Sequence, residues 1–319
     1  MKKIMAIAVT VMLLLSILPA AAPAEDSKLK IVTTIFPIYD WVREITADTE
    51  NADITMLLDS GTDLHSFQPT AQDIMKVASC DVFIYVGGES DEWVEDALAE
   101  AVNPDMIVIS LVDVLGEGAK AEETVEGMEA GEEEGEEGEE EEIDEHVWLS
   151  LRNAGFFVSA ISEALAQKDP DHADAYRANA ESYREKLSGL DAAYTEAVRD
   201  SAFKTLLFGD RFPFRYLADD YGLDYYAAFA GCSAETEASF RTIVFLAQKT
   251  DELHLPAVLT IEGANHQIAQ TVISNTASKD QKLLTLDSMQ GITAQDVRNG
   301  ATYLAVMEEN LAVLKEALN

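Results

Sequence analysis

The sequence predicts an α/β protein in which two parallel-sheet lobes are joined by one long rigid helix. Three observations carry this reading. Short apolar, β-branched runs alternate with helix-compatible runs between residues 29 and 109, the pattern of strand–helix–strand units. The same alternation resumes after residue 205. Between the two series, residues 153–200 are almost wholly helix-compatible. There Tyr176, Ala180, Tyr183, Leu187, Leu190 and Tyr194 recur at three- and four-residue steps, the stripe of one amphipathic helix.

Taken in order, residues 29–35 (LKIVTTI) form a short buried strand that Phe36-Pro37 ends, and a helix opens over 39–45. Residues 54–58 are a second strand, followed by a loop containing Gly61. A helix over 70–78 leads into a third strand, 81–86, closed by Gly87-Gly88. A further helix runs from Trp93 to Ala101, and 106–109 is the fourth strand. The second series places strands at 205–208, 223–226, 257–261 and 282–286, with a closing helix over 301–318.

Lys2 and Lys3 precede a predominantly apolar run over 4–18, and Ala22-Pro23-Ala24 has the small-x-small character of a cleavage site. The run is short for a membrane span of ~20 residues, and it ends in small residues. Residues 1–24 are therefore expected to be a cleaved signal peptide, and the protein is expected to be secreted to a periplasmic or extracellular surface location. No cysteine follows the apolar run, so a lipid anchor is not expected. The expected division is an N-terminal lobe over 25–170, a linking helix over 171–200 and a C-terminal lobe over 201–319.

The formal net charge is -37, which argues against nucleic acid and anionic membranes as partners. Residues 117–145 hold sixteen acids against one lysine, broken by glycines. Such a run repels itself and buries no core, so it is expected to be a disordered loop within the first lobe. The two cysteines, Cys80 and Cys232, are too few for a disulfide framework, and their pairing is open.

The five histidines divide by context. His172 on the polar helix and His254 in a charged connection read as surface residues. His65 lies in the loop Gly61-Thr62-Asp63-Leu64-His65-Ser66 directly after an apolar strand, and His146 and Asp287 also follow strand-and-loop stretches. Ligands gather beyond the carboxyl ends of strands in open α/β sheets, and these side chains are metal donors.

The segment Thr33-Thr34-Ile35-Phe36-Pro37-Ile38-Tyr39-Asp40, followed by Gly61-Thr62-Asp63-Leu64-His65-Ser66-Phe67-Gln68-Pro69-Thr70, resembles the zinc-uptake and metal-binding lipoprotein family of ABC-transporter solute-binding proteins. Asp144-Glu145-His146-Val147-Trp148-Leu149, Tyr221-Gly222-Leu223 and Leu284-Thr285-Leu286-Asp287 fall in that family's order. The resemblance implies two α/β lobes bridged by a rigid helix, with a metal held in the cleft between them. It implies His65 as the first ligand, His146 as the second and Asp287 as the last. The position it assigns to the third ligand holds Arg211, which stays protonated and cannot ligate. Asp210 and His266 are the two alternatives for that ligand, and Glu262 is expected to orient a ligand histidine. Zinc-uptake members carry a His- and acid-rich loop before the second ligand. Here the loop keeps its acids and lacks the histidines, so it is read either as a weak cation concentrator or as a solvated spacer.

The function these readings imply is a monomeric secreted protein that captures Zn²⁺, with Mn²⁺ as the alternative ion, for import by an ABC permease. No catalysis is expected, because the chain shows no phosphate loop, no Ser/His/Asp order and no nucleophile-like Cys. The competing readings are a cell-surface adhesin and a zinc-dependent hydrolase with Glu262 as base. Metal affinity should fall below the histidine pKa of ~6.5 as the ligands protonate.

Overall fold

The computed structural model describes residues 28–129, 142–233, 237–263 and 265–319. The expected signal peptide lies outside them, as does the middle of the acidic run. The first lobe contains β1 (Leu29–Thr33), α1 (Phe36–Thr46), β2 (Ala52–Met56), α2 (Ala71–Ala78), β3 (Val82–Tyr85), α3 (Trp93–Ala99), β4 (Ile107–Ser110) and α4 (Leu111–Leu115). Two long helices follow, α5 (Leu151–Lys168) and α6 (Ala173–Asp200). The second lobe contains β5 (Thr205–Phe212), α7 (Arg215–Tyr221), β6 (Asp224–Ala230), α8 (Phe240–Glu252), β7 (Ala257–Thr260), α9 (Gln267–Asn275), β8 (Lys282–Thr285), α10 (Ala294–Arg298) and α11 (Tyr303–Ala317).

Each lobe is built on a four-stranded sheet, β2-β1-β3-β4 in the first and β6-β5-β7-β8 in the second. Every pairing is parallel, as strand–helix alternation demands. The central strands are apolar on both faces because helices cover both faces. The linking helix spans 28 residues and buries Tyr176, Ala180, Tyr183, Leu187, Leu190 and Tyr194, the stripe read from the sequence. It packs along α5 and α1, and α11 from the chain's end packs on it and on α1.

One hydrophobic core therefore runs from the first sheet through the long helices into the second lobe. Trp41 on α1 sits at its centre, fully buried, with its ring 5.7 Å from Phe157 of α5 and 5.2 Å from Tyr303 of α11. Tyr303 also ties the lobes by polar contacts. Its backbone N–H donates to Asp40 (2.8 Å) and its hydroxyl donates to the Trp148 carbonyl (2.7 Å).

Two expectations are corrected. The strand expected at 205–208 continues to Phe212, with a shift in register against β6 between Phe208 and Arg211. Gly209-Asp210-Arg211 reads locally as a turn, but here it is a bulge that the flanking apolar residues carry through. The acidic segment is ordered at both described ends. Ala121 bridges Ile143, the Glu122 N–H donates to the Glu142 carbonyl (2.7 Å), and Glu129 pairs in parallel with Phe229 of the edge strand β6. The first part of the run thus reaches from one lobe to the other. Backbone pairing to an open sheet edge, together with the side chain of Met128 packed on the core, supplies what its composition lacks. Residues 130–141 lie outside the described residues.

Replacing Trp41 with Ala removes the aromatic at the junction of α1, α5 and α11. Chemical denaturation should show a loss of about 3–5 kcal/mol, the range for deleting a buried aromatic.

Candidate metal centre

His65 stands on a single 3-10 turn, Leu64–Ser66, after β2. Asp63 caps that turn by accepting the His65 N–H (3.0 Å). The imidazole Nδ1 lies 2.8 Å from Ser90 Oγ and 3.4 Å from Glu145 Oε2. Glu145 accepts the Ser90 N–H through Oε1 (2.8 Å), while its other oxygen, Oε2, is buried with no hydrogen-bond partner among the described residues. With Nδ1 engaged by Ser90 Oγ, Nε2 is the ring atom turned toward His146. Burial, with the neighbouring His146 adding to it, pushes the His65 pKa down to about 3, so the ring is neutral at pH 7. Glu145 is itself buried, and that burial raises its pKa to about 7. Gly88, at φ 92° after β3, makes room for it, because any Cβ there would collide with the Glu145 side chain.

His146 is 0% exposed and precedes the short turn Val147–Leu149 that leads into α5. Asp144 Oδ1 accepts both its backbone N–H (2.9 Å) and its ring Nδ1–H (2.9 Å). With Nδ1 engaged by Asp144, Nε2 is the His146 ring atom left to face His65. That Nε2 is 3.2 Å from Nε2 of His65. The two Nε2 atoms thus face each other, with His146 held from behind by Asp144 and His65 by Ser90 with Glu145 beside it, the kind of backing that orients metal-binding histidines. At a Zn–N bond of about 2.0–2.1 Å, a tetrahedral angle sets two nitrogens roughly 3.3 Å apart.

Among the described residues, the potential ligand atoms that lie within 4.8 Å of one another belong to His65, His146 and Cys232. Cys232 follows β6, and its N–H donates to Glu122 (2.9 Å), an acid of the ordered strap. Gly231 beside it lets the backbone approach the His146 ring, since a Cβ there would stand 3.1 Å from Nδ1 and 2.9 Å from the Phe212 carbonyl. Sequence reasoning did not single out Cys232. Its neighbours offer no motif, and what places it is the pairing of β6 with the bulged β5.

Asp287, Asp210 and His266 are outside that group. Asp287 lies just past β8, where its Oδ1 accepts the Met289 N–H (2.7 Å). Burial and the adjacent Glu262 push its pKa up to about 7. The loop it begins comes back to the histidines, for the Gln290 amide stands 3.4 Å from His146 Nε2 and its buried Oε1 has no hydrogen-bond partner among the described residues. Asp210 and His266 are tied to each other through Thr260. Its hydroxyl is 2.5 Å from Asp210 Oδ2 and 3.0 Å from His266 Nδ1, while Asp210 Oδ1 accepts the Arg211 N–H. The bulge in β5 turns Asp210 toward β7 rather than toward the histidines.

Glu262 orients no ligand histidine. Its carboxylate takes the N–H groups of Ser288 (2.7 Å), Gln290 (3.1 Å) and Gly291 (3.2 Å) and the Ser288 hydroxyl (2.6 Å), so it shapes the 287–291 loop. So engaged, it does not serve as a hydrolytic base. Arg211 forms an ion pair with Asp63, the cap of the His65 turn, and so links β5 of one lobe to the histidine loop of the other.

Residues 31–317 match the family described as zinc-uptake complex component A, periplasmic, ZnuA. The chain belongs to that zinc-uptake family. The zinc-binding lipoprotein AdcA of Streptococcus pneumoniae serotype 4 is 31% identical over 318 residues, covering 99% of this chain and 61% of AdcA. The chain thus spans about three-fifths of the length of the AdcA relatives it matches. The high-affinity zinc uptake system protein ZnuA of Bacillus subtilis is 30% identical over 301 residues, covering 93% of this chain and 90% of that protein. The Zn(II)-bound ZnuA-like domain of Streptococcus pneumoniae AdcA has the same fold, with a TM-score of 0.71 at 28% identity over 92% of this chain and 99% of that one. The metal-dependent lipoprotein YcdH of Bacillus subtilis gives a TM-score of 0.74 at 26% identity, covering 92% and 100% of the respective chains. In this fold the loops carrying His65 and His146 meet the segment after β6 and the 287–291 loop.

Arg211→Ala removes the cationic partner of the partly buried Asp63 carboxylate, which still accepts the His65 N–H. Denaturant titration of the metal-free protein should register a loss of about 1–3 kcal/mol, the cost of removing such a partner.

Proposed function

We propose that this chain captures Zn²⁺ outside the cytoplasm and delivers it to an ABC permease, acting as a monomeric carrier. In this reading residues 1–24 are the export signal. The single observation that carries the proposal is the pair of imidazole Nε2 atoms facing each other at 3.2 Å, each ring backed by a carboxylate. Two ring nitrogens so placed can be bridged by one cation. His65 is held neutral too strongly for a proton to fill that role at pH 7. Neutral imidazoles suit Zn²⁺, and Mn²⁺ stands lowest on the Irving–Williams order, so zinc is the preferred cargo and manganese the weaker competitor. Family membership and the zinc-binding names of the relatives support the same ion.

His65 and His146 come from two different loops of the first lobe, whereas Cys232 and the 287–291 loop come from the second. A metal bound among them would hold the lobes together, which gives a permease a loaded form to recognise. Asp287 is proposed as a carboxylate that reaches this cleft from β8.

Calorimetry with Zn²⁺ on the metal-free protein tests the reading. His65→Ala and His146→Ala should each weaken binding at least tenfold, equivalent to ~1.4 kcal/mol. Asp144→Asn, which leaves His146 in place but weakens the acid behind it, should cost ~10–100-fold. Unchanged affinity in both histidine variants would remove the cleft as the capture site.

A further inference from the structure

We infer that Cys232 is the third protein ligand, closing a two-histidine, one-thiolate donor set with His65 and His146 that selects thiophilic divalent ions such as Zn²⁺ and Cd²⁺ over Mn²⁺. This inference rests on the metal-capture reading above and deepens it.

Four observations meet at this residue. The ligand atoms of His65, His146 and Cys232 lie within 4.8 Å of one another, and no other such group occurs among the described residues. A closed tetrahedral site needs a nitrogen–sulfur spacing of about 3.6 Å, given Zn–S near 2.3 Å, so a closure of roughly one ångström completes it. Arg211 stands where the family resemblance places a donor. It offers only N–H groups and is spoken for by Asp63, so this chain needs its ligand from elsewhere. The Cys232 backbone is fixed on two sides, by Glu122 accepting its N–H and by Gly231 packed against the His146 ring. Finally, the thiol is free: neither Cys80 nor Cys232 is in a disulfide, and Cys80 sits elsewhere, bonded to the Val77 carbonyl beside Met106.

Ligation is simple in balance. The thiol proton leaves to solvent as the sulfur–metal bond forms, and no electron is transferred. The fourth position is left to Gln290, whose amide nitrogen is 3.4 Å from His146 Nε2 and whose buried Oε1 has no partner among the described residues, to Asp287, or to water. A thiolate raises preference for soft and borderline ions and lowers it for Mn²⁺, which carboxylate and water ligands suit better.

The test uses the whole chain, kept reduced and loaded with one equivalent of Co²⁺ as a spectroscopic stand-in for Zn²⁺. The inference expects a thiolate-to-cobalt charge-transfer band in the near ultraviolet. That band should survive in Cys80→Ser and vanish in Cys232→Ser, while Zn²⁺ affinity in Cys232→Ser drops at least tenfold. Stoichiometric Zn²⁺ should also protect Cys232 from iodoacetamide, read by peptide mass. The wild-type spectrum and the protection need no variant to fold, so a poorly folded Cys232→Ser leaves the test intact. Tight binding of Co²⁺ and Zn²⁺ with no such band and no protection overturns the thiolate ligand and leaves the capture reading standing. Failure of the wild-type chain to bind either ion overturns both.

Discussion

Two imidazole Nε2 atoms are held facing each other 3.2 Å apart, and much of the surrounding structure keeps them so. Each ring would relax away if its far side were free. Asp144 fixes His146 from within its own loop, and Ser90 with Glu145 fixes His65 from the neighbouring strand end. Glu145 and His146 are adjacent in sequence, so one short segment supplies a ligand candidate and the backing for its partner. That economy explains why the segment is buried although it is acidic: Asp144, Glu145 and His146 are each at most 2% exposed. The desolvation cost of burying these groups is offset only if they are hydrogen-bonded and if a cation arrives to balance the acids.

The lobes supply the rest. The long helix α6 and the helix α11 build one core across the molecule, and Tyr303 and Trp148 connect it to the site. Trp148 donates its indole N–H to the Ser288 carbonyl (2.9 Å), so the residue two places after His146 grips the loop that carries Asp287 and Gln290. Glu262 shapes that same loop from beneath, and Arg211 clamps the cap of the His65 turn from across the cleft. The second lobe therefore meets the histidines along three lines, one each through β5, β6 and the 287–291 loop.

Much of this was legible in the sequence because it rests on periodicity. The parallel sheets follow from alternating strand and helix signals, and the linking helix from the stripe of Tyr176, Ala180, Tyr183 and Leu187. His65 and His146 stood out because both follow strand-like segments within a specific pattern, and the fold brings them within 3.2 Å. What was hidden depends on contacts between distant segments. The bulge at Asp210 and Arg211 arises from pairing with β6, and it decides that Asp210 faces Thr260. Glu262 reads alone as a group near a histidine, but its four bonds to the 288–291 segment appear only once β7 and β8 lie side by side. The acidic strap looked too charged to order, and composition does not reveal that β6 offers an open edge. Cys232 lacked any local signal, because proximity to the histidines is a property of the sheet.

Zinc K-edge X-ray absorption tests most directly whether the facing histidines hold the metal. Protein loaded with one equivalent of Zn²⁺ should show a four-coordinate shell containing two imidazoles, with nitrogen at about 2.0–2.1 Å and the outer-ring scattering that marks histidine. A six-coordinate shell of oxygens alone, without imidazole scattering, would contradict it.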